Sequence, residues 1–150
     1  MKKKVLEVTN LEVGIRRENQ EIFIVKNVSF YCQAGKTLAI VGESGSGKTT
    51  LANAIIRLLP QDQGFFSTGS VTFSNLDLLC QNEQTLEQLR GAHISMIFQD
   101  PSTSLHPLFT IGHQIQEMFT THKHMTEEEA KEKTYEILFK VHFPIPEQAF

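Results

Sequence analysis

Residues 37–50 read TLAIVGESGSGKTT, an uncharged apolar run followed by glycines and hydroxyls that close on a lysine. Gly42, Gly47, Lys48 and Thr49 have the spacing G-x-x-x-x-G-K-[ST], and Thr50 adds a second hydroxyl. A triphosphate is a dense anion that needs many donors at close range. Backbone N–H groups supply them only where side chains stay clear. Gly42, Gly45 and Gly47 let such a loop wrap a β-phosphate, and a helix starting near Gly47 aims its positive end at the same place. Lys48 is placed to reach the β- and γ-phosphates, and the Thr49 hydroxyl to ligate Mg²⁺. The candidate nucleotide site is therefore Gly42, Glu43, Ser44, Gly45, Ser46, Gly47, Lys48, Thr49 and Thr50.

The flanks of this loop set the expected fold. TLAIV has the composition of a short strand buried on both faces. After the loop, a helix is predicted from within GKTT through LANAIIRLLP, with Leu51, Ala54, Ile55, Leu58 and Leu59 on its apolar face and Pro60 as its end. Upstream, residues 4–13 alternate apolar and polar, and 21–31 are rich in β-formers, so an antiparallel pair joined by the polar IRRENQ is expected. Downstream, QDQGFFSTG at 61–69 reads as a loop, SVTFS at 70–74 as a strand, and QTLEQLRG as a short helix closed by Gly91. ISMIF at 94–98 is predicted as a second buried strand. Beyond it lie two helices. One covers TIGHQIQEMF, with Thr110 as its cap and Ile111, Ile115, Met118 and Phe119 on one face. The other follows Thr126 and Glu129, which have capping-box spacing, with Ala130, Ile137, Leu138 and Val141 along one side.

Composition narrows the class. With 40% hydrophobic and 21% charged residues over 150 positions, the chain is an ordinary globular sequence with enough length for a core. A formal net charge of −3 offers no basic field for nucleic acid. MKKK is followed by the alternating, acid-containing VLEVTNLEV, which is no signal-peptide core, and no apolar run is long enough to span a membrane. Cys32 and Cys80 lack metal-type spacing and read as reduced thiols of a cytosolic protein. His122 and His124, in THKHM, have no third ligand at a plausible distance along the chain and read as loop residues. EEEAKEK at 127–133 reads as a solvated helix face.

A phosphate loop alone leaves ATPases, GTPases and small kinases open. The stretch ISMIFQDPSTSLHPLFTIGHQI at 94–115 adds Gln99 at the end of an apolar run. A ligand for Mg²⁺ or for an attacking water belongs at such a strand end. An amide suits that role because it donates and accepts hydrogen bonds without adding charge. On spacing alone, a polar residue closing a strand is an equal reading. No NKxD-type guanine-reading motif occurs, which disfavours a GTPase.

Taken together, VKNVSFYCQAGKTLAIVGESGSGKTT and MIFQDPSTSLHPLFTIGHQI resemble the nucleotide-binding subunit of an ABC transporter. The branch is the one that powers bacterial uptake of oligopeptides, dipeptides or nickel. The resemblance implies an α/β P-loop NTPase fold of the ABC type. Residues 1–99 would form the β-rich and Walker A core, and 100–150 the Q-loop and the start of the helical subdomain. It implies ATP and Mg²⁺ as cofactors, with Thr49 and Gln99 at the metal and Gln99 as the Q-loop glutamine. Residues from about 100 to 120 would face transmembrane permease subunits. A second ATP-binding subunit would complete the site, and a solute-binding protein would act indirectly, all at the cytoplasmic face of the inner membrane. The family often has asparagine where His106 stands, and stacks adenine on an aromatic where Ile15 stands; Phe23 is the nearest aromatic that could substitute. The 150 residues contain no LSGGQ-type signature, Walker B aspartate with catalytic glutamate, or switch histidine. The expectation is thus the first part of such a domain, with bare sheet edges, uncovered apolar surface and no catalytic residue of its own. The alternative is a nucleotide-binding remnant or split-gene half without turnover.

Overall fold

A computed structural model describes residues 3–18, 20–100 and 104–150, and the chain divides into two compact units, Met1–Leu86 and Glu87–Phe150. The first unit is built on an antiparallel hairpin, β1 (Lys4–Arg17) and β2 (Gln20–Gln33). β3 (Phe65–Phe73) pairs with the other edge of β1, and the two-residue β4 (Leu76–Asp77) completes a sheet in the order β2-β1-β3-β4. The loop at 42–47 leads into α1 (Lys48–Ile55), and α2 (Glu83–Leu89) lies at the division between the units.

The alternation predicted for the N-terminal hairpin is what buries Val8, Leu11, Val13 and Val25, together with Val71 of β3. Leu51, Ala54 and Ile56 add the apolar side of α1, and Leu78 and Leu86 are also buried. The sheet is sharply irregular. Asn10, Asn27 and Gly69 all take positive φ, and the β1 registers with both neighbours shift near Asn10. At Gly69 a Cβ would lie 2.4 Å from the Asn10 carbonyl oxygen, so the bend requires glycine there.

The second unit holds α3 (Ile111–Lys123) and α4 (Glu127–Lys140), with the C-terminal residues Pro146–Ala149 in a 3₁₀ turn. Thr126 and Glu129 form the expected capping box: the Thr126 hydroxyl accepts from the Glu129 N–H, and the Glu129 carboxylate accepts from the Thr126 N–H at 2.9 Å. Gly112 lies so close to the Ala149 carbonyl and the Phe150 ring that a Cβ would meet them at 2.7 and 2.8 Å.

Several expected elements differ. The strand predicted at 37–41 and most of the one at 94–98 carry no ladder among the described residues; the sole pairing is a parallel bridge between Arg90 and Ile94. An extended apolar segment becomes a strand only beside a partner that takes its N–H and C=O groups, and the four paired strands offer none to these segments. Val41 and Ile97 are 87% and 98% exposed, so the expected uncovered apolar surface is present. Residues 65–69 are strand rather than loop, because Phe65 and Phe66 pair with Ile15 and Gly14. The polar connection between β1 and β2 is shorter than IRRENQ, since pairing continues to Arg17 and Gln20. α1 stops at Ile55, short of Pro60, because Arg57 turns the chain with φ of 53°. On α4 the buried positions are Ala130, Thr134 and Leu138, whereas Val141 is 65% exposed. Thr134 tolerates burial because its hydroxyl donates to the Ala130 carbonyl at 2.8 Å.

Candidate functional site

The loop before α1 has the backbone of an anion cradle. Gly45 and Gly47 adopt φ of 80° and 89°, values that side chains resist. Gly47 caps α1, and the first helical bond runs from the Leu51 N–H to the Gly47 carbonyl at 2.8 Å. The N–H groups of Lys48, Thr49 and Thr50 therefore precede the helix ladder and point out of its positive end. The first turn of α1 carries no acidic residue to repel an anion.

Lys48 lies across this loop. Its ammonium donates to the Gly42 carbonyl at 2.9 Å and the Glu43 carbonyl at 2.6 Å, with the Ser46 hydroxyl 3.4 Å away. Gly42 differs from the other two: a Cβ there would meet the Ser46 hydroxyl at 2.8 Å, a contact that a turn of the serine side chain relieves. Glu43, Ser44, Gly45, Ser46 and Thr49 are exposed, while Gly47, Lys48 and Thr50 are half-buried. The cradle thus combines exposed donors with a cation held centrally by backbone carbonyls. An oxyanion of high charge density fits that arrangement, and a neutral ligand does not.

The sheet fixes the loop from below. Gly47 packs where a Cβ would lie 3.2 Å from the Ile24 carbonyl and 3.4 Å from Val25, whose partner across the ladder is Val13. Phe23 stands opposite Gly14, as does Phe66 on the far side, and a Cβ on Gly14 would meet the Phe66 ring at 2.6 Å. Phe23 and Phe66 meet edge to face at 5.6 Å, with the Arg16 guanidinium 5.2 Å from the Phe66 ring. Phe23, offered by sequence as a substitute aromatic for a base, is 36% exposed and lies two residues from Val25, across a register shift in the β1–β2 ladder. Ile15 is half-buried between Ile22 and Phe65.

Gln99 belongs to the second unit, where it is exposed, as is Asp100. Pro101, Ser102 and Thr103, part of the segment expected to face a membrane partner, lie outside the described residues. The rest of that segment presents Leu105, Leu108 and Phe109 to solvent beside an apolar groove of about 670 Å³ that also touches Ile115, Met118 and Phe119. Sequence reasoning missed the residue that shapes this loop. The Gln114 side-chain amide accepts from the His106 N–H at 2.7 Å and donates to the His106 and Phe109 carbonyls at 3.0 and 2.9 Å. Its position in the first turns of α3, facing a Pro-containing loop, is the only hint the sequence carries. His106 itself accepts from the Leu108 N–H through Nδ1 at 3.3 Å, a local turn bond that an asparagine side chain also makes. His122 packs against Gly91, where a Cβ would meet its Nε2 at 2.5 Å, and His124 caps α3 with φ of 53°. Among the described residues no helix is long and apolar enough to cross a membrane.

The sequence profile of the ABC transporter family matches residues 25–147, a span that contains the loop, α1 and Gln99. The chain belongs to the ABC transporter family. It is 40% identical over 145 residues to the oligopeptide transport ATP-binding protein OppD of Bacillus subtilis, covering 97% of this chain and 40% of that protein. It is 41% identical to the glutathione import ATP-binding protein GsiA of Escherichia coli, over 93% of this chain and 23% of that protein. The peptidoglycan transport ATP-binding protein YejF of Agrobacterium fabrum is 40% identical over 96% of this chain and 26% of its own length. The chain thus spans well under half the length of these curated relatives. Among solved structures, the dimeric post-hydrolysis state of the ATP-binding cassette MJ0796 bound to ADP and Pi matches with a TM-score of 0.72. The identity there is 26%, over 89% of this chain and 56% of that one. The antiparallel β portion, phosphate loop and following helices are accordingly those of an ABC-type P-loop NTPase.

Proposed function

We propose that these residues are the phosphate-binding part of an ATP-binding subunit that energises bacterial import of peptides. The observation that carries this reading is the cradle itself: left-handed Gly45 and Gly47, leading N–H groups of α1, and the Lys48 ammonium within hydrogen-bonding distance of the Gly42 and Glu43 carbonyls. In it, Lys48 exchanges carbonyl contacts for β- and γ-phosphate oxygens, and the N–H groups from Gly45 to Thr50 surround the β-phosphate. The exposed Thr49 hydroxyl would ligate Mg²⁺, with Gln99 as the further ligand that the family resemblance implies, and the ion would supply charge neutralisation for the phosphates. The peptide assignment rests on relatives whose names are those of oligopeptide, glutathione and peptidoglycan transport proteins.

On the same reading the apolar rim at Leu105, Leu108 and Phe109 meets transmembrane permease subunits on the cytoplasmic side of the membrane. A second ATP-binding subunit closes over the nucleotide. A fluorescent ATP analogue tests the site. The parent chain is expected to bind it and Lys48→Ala to lose binding; equal binding by the two would remove Lys48 from the site. Competition by ATP and GTP in the same assay reads base preference.

A further inference from the structure

The C-terminus of α1 contains an arginine where the backbone calls for glycine. The Leu58 N–H bonds back to the Asn53 carbonyl at 2.8 Å and the Arg57 N–H to the Ala54 carbonyl at 3.1 Å. This pair of bonds is a Schellman ending, whose left-handed residue is usually glycine because a Cβ is penalised there. Here that residue is Arg57, with φ of 53°. A strained position kept by a long side chain points to a use for the side chain. That use is visible: the Arg57 guanidinium donates to the Gln81 carbonyl at 2.5 Å and lies 3.5 Å from the Leu78 carbonyl. The acceptors are the first residue of the 3₁₀ turn Leu78–Cys80 and the residue that follows it; the turn is itself held by the buried Leu78 and by the Asp77 carboxylate accepting from the Leu79 N–H.

We propose that Arg57 is a positioning residue for the nucleotide loop, fastening the rear of α1 to the Leu78–Gln81 turn so that the front of the helix presents its N–H groups in a fixed direction. α1 has only eight residues, and within it Leu51 and Ala54 are the buried anchors. Any rocking of so short a helix about Leu51, Ala54 and the adjoining Ile56 would move the donors at 48–50 relative to residues 42–46 of the loop. The clamp at Arg57 opposes that rocking from the far end. Charge-assisted bonds to backbone carbonyls suit this task, because a guanidinium presents several donors in a rigid fork. Nothing in the chemistry makes Arg57 a phosphate ligand; it acts through the helix axis.

This inference rests on the proposal that the loop binds nucleotide, and the test keeps the two apart. Arg57→Gly removes the clamp while removing the backbone strain, and Arg57→Lys restores a single cationic donor. For a fluorescent ATP analogue, Arg57→Gly is expected to weaken affinity about tenfold, with Arg57→Lys between it and the parent. Melting temperatures of all three should agree to within a few degrees, the relieved backbone strain in Arg57→Gly offsetting the lost bonds. Parent affinity in Arg57→Gly overturns the assignment. So does a loss of affinity that simply follows melting temperature across the series, since that makes Arg57 a folding residue. Lys48→Ala, run alongside, reports on the site itself: equal binding by parent and Lys48→Ala contradicts the nucleotide reading and takes the Arg57 assignment with it.

Discussion

Gly47 does two things that no other residue can do together. Its φ of 89° turns the loop into α1, and its missing Cβ lets the turn rest 3.2 Å from the Ile24 carbonyl. Gly47→Ala is therefore expected to cost about 1–2 kcal/mol from the left-handed backbone. It should also weaken nucleotide binding, because the N–H groups that follow are displaced; denaturant midpoints and analogue titration read the two effects separately. Unchanged values in both would contradict the cradle geometry. Gly42 is less demanding, since the one atom a Cβ would crowd is the rotatable Ser46 hydroxyl. At this scale the sequence was informative about the loop, since the G-x-x-x-x-G-K-T spacing picks out the residues that the backbone then shapes. It was silent about Arg57 and Gln114. Both work by reaching backbone carbonyls distant in sequence or in the next turn, and a carbonyl leaves no mark in the letters.

Helix α4 shows how local rules decide an element. Thr126 and Glu129 satisfy each other's backbone donors, and the two bonds from Thr126 hold the Glu129 carboxyl below the ordinary glutamate range. A carboxyl with a depressed folded pKa contributes stability above its unfolded value and loses it as pH falls through the folded one. The capping contribution should thus be complete at neutral pH and disappear in acid, below the usual glutamate range. Thr126→Ala is expected to cost about 1 kcal/mol at neutral pH and less once Glu129 is protonated. Urea unfolding at neutral and acidic pH measures the difference, and an equal cost at both would separate Glu129 from the cap. The capping box, the N-terminal hairpin and the start of α1 were legible because each is fixed by residues within a few positions. The strand at 65–69 was not, because FFSTG pairs with residues some fifty positions earlier. The segments at 37–41 and 95–98 failed for a related reason: their composition is that of buried strands, and composition cannot supply the neighbouring ladder.

Across the whole molecule, the apolar residues without cover are the dominant feature. Val41, Ile97, Leu108 and Phe109 are 87%, 98%, 85% and 64% exposed, and Leu38, Ile40 and Leu105 are also exposed. The 150-residue chain is expected to bind a hydrophobic dye and to associate as concentration rises. Ile97→Lys should reduce both while changing stability by no more than about 0.5 kcal/mol, as read by light scattering and urea titration. Undiminished association would place the sticky surface elsewhere. The fold class was recoverable from sequence through two motifs rather than through its strands. The central claim, that the 42–50 loop holds nucleotide phosphates, is tested most directly by ³¹P resonances of ATP during titration with the chain. The account predicts that the β- and γ-phosphate signals broaden and shift with the parent and stay unperturbed with Lys48→Ala. Phosphate signals that respond equally to both chains, or to neither, would contradict it.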